Sequence, residues 1–232
     1  MQVVLIIAVI VVGYLSGSVN YAIIVTRLVA GGDIRELGNK NAGTANVARN
    51  VGKGWAAIVY FADVLKGFIP MLLTHLFLFT GGAYLDYLVV GAVGIAAIAG
   101  HCRPVFFGFR GGGGMATAMG VFLFFIPVEF VVCTLLSALF VMLFIKHAEF
   151  RVGRSIPITF VTATPFVTLA LNWFVDIPLF AHISIGGHPW YILVVAYAIS
   201  LFILGIHLPF VLGKMRAARE SAPSEVDAEQ QD

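Results

Sequence analysis

Residues 84–125 read "YLDYLVVGAVGIAAIAGHCRPVFFGFRGGGGMATAMGVFLFF". An apolar run over 84–106 meets a second over 115–126, with Arg110 and four consecutive glycines between them. The first run is long enough for a helix to cross a bilayer, which takes about 20 residues. The second is short for a span unless it is tilted or packed inside a bundle. Glycine fills a membrane helix badly, because it packs little and loosens the backbone. The glycine run therefore belongs to a loop between two helices.

Further apolar runs lie at 2–29, 55–79, 128–146, 156–174 and 190–212. Hydrophobic residues make up 60 % of the chain and charged residues 11 %, against about 25 % charged in a soluble domain. These values identify a polytopic membrane protein. Pro127 separates the fourth and fifth runs and favours a break there, so the count is seven helices; six would follow if those two runs formed one bent helix. The basic residues sort by loop. Arg35, Lys40, Arg49 and Lys53 follow the first span, Arg103 and Arg110 the third, and Lys146, Arg151 and Arg154 the fifth. Lys214, Arg216 and Arg219 follow the seventh. The intervening loops carry no Lys or Arg. Positive loops stay cytoplasmic, so seven spans put the N-terminus outside and the C-terminus in the cytoplasm. The expected fold is thus an all-α integral membrane protein, with residues 1–213 as one seven-helix domain and 214–232 as a polar, disordered cytoplasmic tail. The N-terminus lacks a basic n-region and a cleavage site, and is read as a retained span. A net charge of +2 gives no reason to expect nucleic acid. Cys102 and Cys133 define neither a disulfide framework nor a metal site.

Three features could carry chemistry. The loop "GGDIRELGNKNAGTANVARNVGKG" at 31–54 is richer in Gly and Asn than a topogenic loop needs to be, and Asn39, Asn41 and Asn46 could bind a ligand or brace the backbone. Successive glycine N–H groups at 111–114 could form an anion-binding nest in front of a helix N-terminus, with Arg110 as a clamp. A flexible hinge is the alternative. Neither a Walker loop nor a dinucleotide fingerprint fits. Third, Asp63 and Lys66 lie three apart on one helix face and can pair, while His101 and His207 sit near membrane faces on the basic side. Gly13-x-x-x-Gly17 reads as helix packing. These features describe a cytoplasm-facing pocket for an anionic small molecule meeting a lipid.

"GSVNYAIIVTRL", "DIRELGNKNAGTANVARNVGKGWA", "DVLKG" and "GHCRPVFFGFRGGGGMATAMG" occur in an order and spacing that resembles the bacterial acyl-phosphate:glycerol-3-phosphate acyltransferase family, PlsY. The resemblance is dense from about residue 13 to 120. It implies a seven-helix enzyme of the bacterial inner membrane, acting as a monomer. Its substrates would be acyl phosphate and glycerol 3-phosphate, and no metal or coenzyme A would take part. The acyl group would pass to the sn-1 hydroxyl, giving lysophosphatidic acid and inorganic phosphate. An acyl phosphate is already activated, so such a protein mainly aligns hydroxyl and carbonyl and stabilises charge. The acyl tail would lie in a groove among the helices.

Residue by residue, Gly38, Asn41, Gly43, Asn46, Val47 and Arg49 match the family's first motif, and Arg35 matches the upstream "DIR". Gly100, His101, Pro104, Gly111, Gly112, Gly114, Ala116 and Thr117 match the second. The resemblance casts Asn41, Asn46, His101 and His207 as catalytic. It casts Arg35, Arg49, Arg110, Gly111, Gly112 and Gly114 as phosphate-binding. The chain also departs from the pattern. Asn39 stands for a serine, Lys40 for a glycine and Gly113 for the phosphate-binding lysine. "FRVGRSIP" is a degenerate third motif, and Leu208 and Phe210 replace polar members of the last. Lys40 or Arg154 could supply the missing cation. A non-catalytic homologue that binds phospholipid precursors, and a transporter of anionic metabolites, remain the competing readings.

Overall fold

A computed structural model describes residues 2–78, 84–144, 156–174, 176–180, 183–186 and 188–220. Each apolar run carries a helix, because backbone in hydrocarbon must satisfy its own hydrogen bonds. The first run is two helices, α1 (Gln2–Ser18) and α2 (Tyr21–Ala30). Asn20 causes the break: its side chain accepts from the Ile23 N–H at 3.1 Å and so starts a new helix. The orphaned Val19 carbonyl at the end of α1 takes the Lys66 ammonium at 2.8 Å. Then come α3 (Thr44–Asn50), α4 (Lys53–Phe77), α5 (Tyr84–Cys102), α6 (Met115–Phe125) and α7 (Pro127–Phe144). Pro127 opens α7, where its missing N–H costs nothing, so the fourth and fifth runs are separate helices as expected. After α8 (Ile156–Phe174) and a hairpin, α9 (Trp190–Glu220) ends the described chain. Among the described residues, five helical segments are long and apolar enough to cross a membrane, while Met115–Phe125 and Thr159–Phe174 are shorter apolar helices.

The helical membrane fold is as expected, and three details add to it. A short hairpin joins α8 and α9: β1 (Asp176–Phe180) and β2 (Ile183–Gly186) pair antiparallel, Ile177 opposite Ile185, in a loop read above only for its lack of cations. Ile183, Ser184 and Ile185 alternate with the strand period. Helix α9 continues past 214 through Glu220 on good helix formers, "KMRAARE"; residues 221–232 lie outside the described residues. The loop at 31–54 contains α3 and a 3₁₀ turn, Ile34–Glu36.

Small residues set the helix spacing. A methyl carbon at Gly13 would lie 2.7 Å from the Val93 carbonyl oxygen, and one at Gly17 would strike the Ala97 carbonyl. The Gly13-x-x-x-Gly17 face thus seats α1 on α5. The core around Phe122, Phe160, Ile98, Met71 and Ile199 is fully buried. Leu135, Leu143, Trp173 and Phe174 project outward, the last 82 % exposed, as on a surface that faces lipid. At the end of α6 far from the glycines, the buried Glu129 carboxylate lies 2.8 Å from His188 Nε2.

Candidate active site

The site is built where the 31–43 loop meets the 103–114 loop. Asp33 organises the first. It caps the 3₁₀ turn by accepting from the Arg35 N–H at 3.0 Å. It also takes the Arg35 fork on both oxygens, from Nε at 2.9 Å and Nη2 at 2.8 Å, and Arg27 adds a contact at 2.9 Å. These bonds, Arg35's first, hold the Asp33 carboxyl far below the usual carboxylate range, and Asp33 in turn raises Arg35. The remaining Arg35 nitrogen, Nη1, donates to the Phe107 and Arg110 carbonyls at 2.8 and 3.0 Å. One guanidinium therefore locks the two loops together.

Asn46 is fully buried on α3. Its amide donates to the carbonyls of Ile34, Leu37 and Asn41 at 3.0, 2.9 and 3.1 Å, and its Oδ1 accepts from Asn50 at 2.9 Å. This side chain shapes the loop from within. Asn41 contributes that carbonyl, and its own N–H donates to Asn39 Oδ1 at 3.2 Å. Lys40, exposed between them, has φ +59°.

The glycine loop is held by backbone. Gly111 N–H donates to the Cys102 carbonyl at 3.3 Å and Gly112 N–H to the His101 carbonyl at 3.1 Å. Two of the donors expected to form an anion nest are thus spent on the open C-terminal carbonyls of α5. Gly112 lies flat against the His101 imidazole and the Ala42 carbonyl, where a methyl group would collide with both. Gly114 takes φ +77° and starts α6. His207 Nε2 lies 3.0 Å from the Gly113 carbonyl oxygen.

Below the loops, Lys66 Nζ sits 2.7 Å from Asp63 Oδ1, and His101 Nδ1 sits 3.6 Å from the same oxygen, all three buried. The pairing of Asp63 with Lys66 follows the expected helix face. His101 joins that group under the glycine loop rather than facing open space.

Above them is a cavity of about 600 Å³. Arg35, Lys40, Arg103 and Arg110 bring cations to it, Gly111 and Gly112 supply backbone, and Phe202 and Ile206 of α9 form an apolar wall. Of the residues singled out in the sequence, Arg35, Lys40, Arg110, Gly111 and Gly112 meet here. Gly114, His101 and His207 brace the loop from behind. Arg49 stands exposed on α3 and is not in the cavity lining. Arg154 lies outside the described residues. Sequence reading missed Tyr14, whose hydroxyl donates to the Arg103 carbonyl at 2.7 Å on the cavity rim, and passed over Asp33. Asp33 sits in the quoted "DIR" and could have been found as the acidic partner of Arg35; Tyr14 left no local signal. Among the described residues, no three His, Cys, Asp or Glu side chains gather as a metal site would require.

Apolar helices with a cation-lined cavity at an end define a multi-pass helical membrane protein. The sequence matches the glycerol-3-phosphate acyltransferase family over residues 7–212, and the chain belongs to that family. It is 37 % identical over 180 residues to a glycerol-3-phosphate acyltransferase of Shouchella clausii, covering 77 % of this chain and 82 % of that protein. A relative of the same name from Aquifex aeolicus is 43 % identical over 108 residues, 47 % of this chain and 53 % of that protein. The chain thus spans only about half the length of some of the curated relatives it matches. Its fold is similar to a crystal structure of PlsY, an integral membrane glycerol 3-phosphate acyltransferase, in its glycerol 3-phosphate form. The TM-score is 0.70 at 28 % identity, covering 96 % of this chain and 98 % of that one. The lysophosphatidic acid form of PlsY gives a TM-score of 0.68 at 27 % identity, covering 91 % and 92 % of the two chains.

Proposed function

We propose that this protein transfers a fatty acyl group from acyl phosphate to the sn-1 hydroxyl of glycerol 3-phosphate. The hydroxyl oxygen attacks the acyl carbonyl, an ester bond forms, the bond from the acyl carbon to the phosphate oxygen breaks, and the hydroxyl proton passes to the departing phosphate, giving lysophosphatidic acid and inorganic phosphate. The observation that carries this reading is the two-sided cavity, with Arg35, Arg103 and Arg110 on one wall and Phe202 and Ile206 of α9 on the other. A phosphate needs the first wall and an acyl chain the second. Both reactants are phosphates, so orienting them and offsetting their charge is most of the catalytic work.

In this reading Arg110 is the phosphate clamp. Arg35 presents a guanidinium already braced by Asp33. His101, His207, Asn41, Asn46 and Gly114 act as positioning residues that hold the two loops at the cavity. Seven crossings of the bacterial inner membrane, with the N-terminus outside and the C-terminus cytoplasmic, put both loops on the cytoplasmic side, where the basic residues collect. The protein acts as a monomer.

The test is turnover by purified protein given palmitoyl phosphate and glycerol 3-phosphate, read as lysophosphatidic acid and released phosphate. Equal amounts of both products are expected. Folded protein that binds both substrates without forming either product would be a non-catalytic homologue. Glycerol 3-phosphate flux into liposomes without acyl transfer would identify a transporter.

A further inference from the structure

The four cavity cations are not equally free to meet an anion. Arg35 is paired with Asp33, its fork bonded on both carboxylate oxygens, and Arg27 shares that carboxylate. Arg103 leans toward the Phe109 carbonyl at 3.5 Å. Among the described residues, Lys40, Arg103 and Arg110 make no ion pair, and all three line the cavity. A phosphate monoester carries roughly −1.5 to −2 at neutral pH, so it draws on these unpaired charges.

Lys40 is also held against its own preference. Its φ of +59° lies in the left-handed region, which a lysine side chain disfavours and a glycine does not. Strain of this kind survives where the surroundings enforce it, and it gathers at ligand sites. Here the Lys40 N–H donates to the Leu37 carbonyl at 2.9 Å, closing a turn whose carbonyls Asn46 fixes from inside. The turn brings Lys40 to the lining of the cavity that Gly111 and Gly112 also reach.

Position 113 is crowded by a side chain. Gly113 has an ordinary φ, but a Cβ there would lie 2.8 Å from His207 Cε1 and 3.0 Å from its Nε2. The imidazole occupies the space a longer side chain would need.

Building on the acyltransferase reading above, we infer that Lys40 is the specificity-determining cation of this cavity: with Arg110 it binds the phosphate of glycerol 3-phosphate, from the 31–43 loop rather than from the glycine loop. An ammonium is a compact point charge and suits a monoester seated end-on.

Lys40→Gly separates charge from backbone. Glycine relieves the left-handed conformation, so the melting temperature should rise by about 2–4 °C. Glycerol 3-phosphate binding, measured by calorimetry on the full-length protein in detergent, should weaken roughly tenfold or more. Lys40→Arg keeps the charge and should stay within about threefold of wild type. A Kd for Lys40→Gly within twofold of wild type would overturn the inference, and active wild-type enzyme beside it would leave the acyltransferase reading standing. Wild type that binds glycerol 3-phosphate through Lys40 but never turns over would do the reverse.

Discussion

The two loops that wall the cavity are held by opposite means. The 31–43 loop is held by side chains: the Asp33 carboxylate, the Arg35 fork and the buried Asn46 amide satisfy its turns. The 110–114 loop is held by the absence of side chains, with its N–H groups on α5 carbonyls and its Cα atoms against His101 and Ala42. A loop of the first kind fails when a donor or acceptor is removed, and one of the second kind fails when anything is added. Arg35 ties one to the other, so damage on either side reaches the cavity.

The sharpest way to break this contrast is Gly112→Ala. One methyl group meets both the His101 imidazole and the Ala42 carbonyl. Turnover should fall about a hundredfold, since displacement near 1 Å is enough for that, and unfolding should become about 2–3 kcal/mol easier. A variant with wild-type kcat and melting temperature would mean the loop is looser than its packing.

Asn46→Asp keeps the shape and removes the donors. The carbonyls of Ile34, Leu37 and Asn41 would then face an acceptor, at a cost of about 2–3 kcal/mol. Asn46→Ala should cost less, about 1–2 kcal/mol, because it leaves the carbonyls unpaired without repulsion. Denaturant titration that ranks the two the other way would show that packing, not hydrogen bonding, is what Asn46 contributes.

Asp33→Asn tests the ionic tie through pH. The folded carboxyl is depressed, so its contribution is present above the unfolded value of about 3.9 and is lost as pH falls through the folded one. Wild type should therefore exceed Asp33→Asn in stability by a constant margin above about pH 5, and the margin should shrink only below about pH 4. A margin that closes near neutral pH would point to a histidine instead. The smallest effect is expected from Arg49→Ala. Exposed and away from the cavity, it should change stability by under about 0.5 kcal/mol. The glycerol 3-phosphate KM should stay within about threefold of wild type. A tenfold rise would restore the phosphate-binding role that the motif resemblance gave it.

Local pattern in the sequence settled a good deal. Apolar runs of near-spanning length can only be helices in a bilayer. Pro127 favours the start of one, Asp63 and Lys66 share a face by the helical period, and Gly13 with Gly17 makes a packing stripe. Each depends on residues close in the chain. What depended on distant residues was decided by the tertiary structure alone. Asn46 turns inward because three carbonyls around it need a donor. Gly111 and Gly112 lose their nest because the end of α5 arrives with open carbonyls. Arg35 faces the cavity and Arg49 does not, although both stood in one loop with the same charge. Lys40 shows the division most plainly: its sequence shows a cation replacing a glycine, and only the fold shows that the turn still holds it at φ +59°, because the hydrogen bonds that bend the chain there come from other residues.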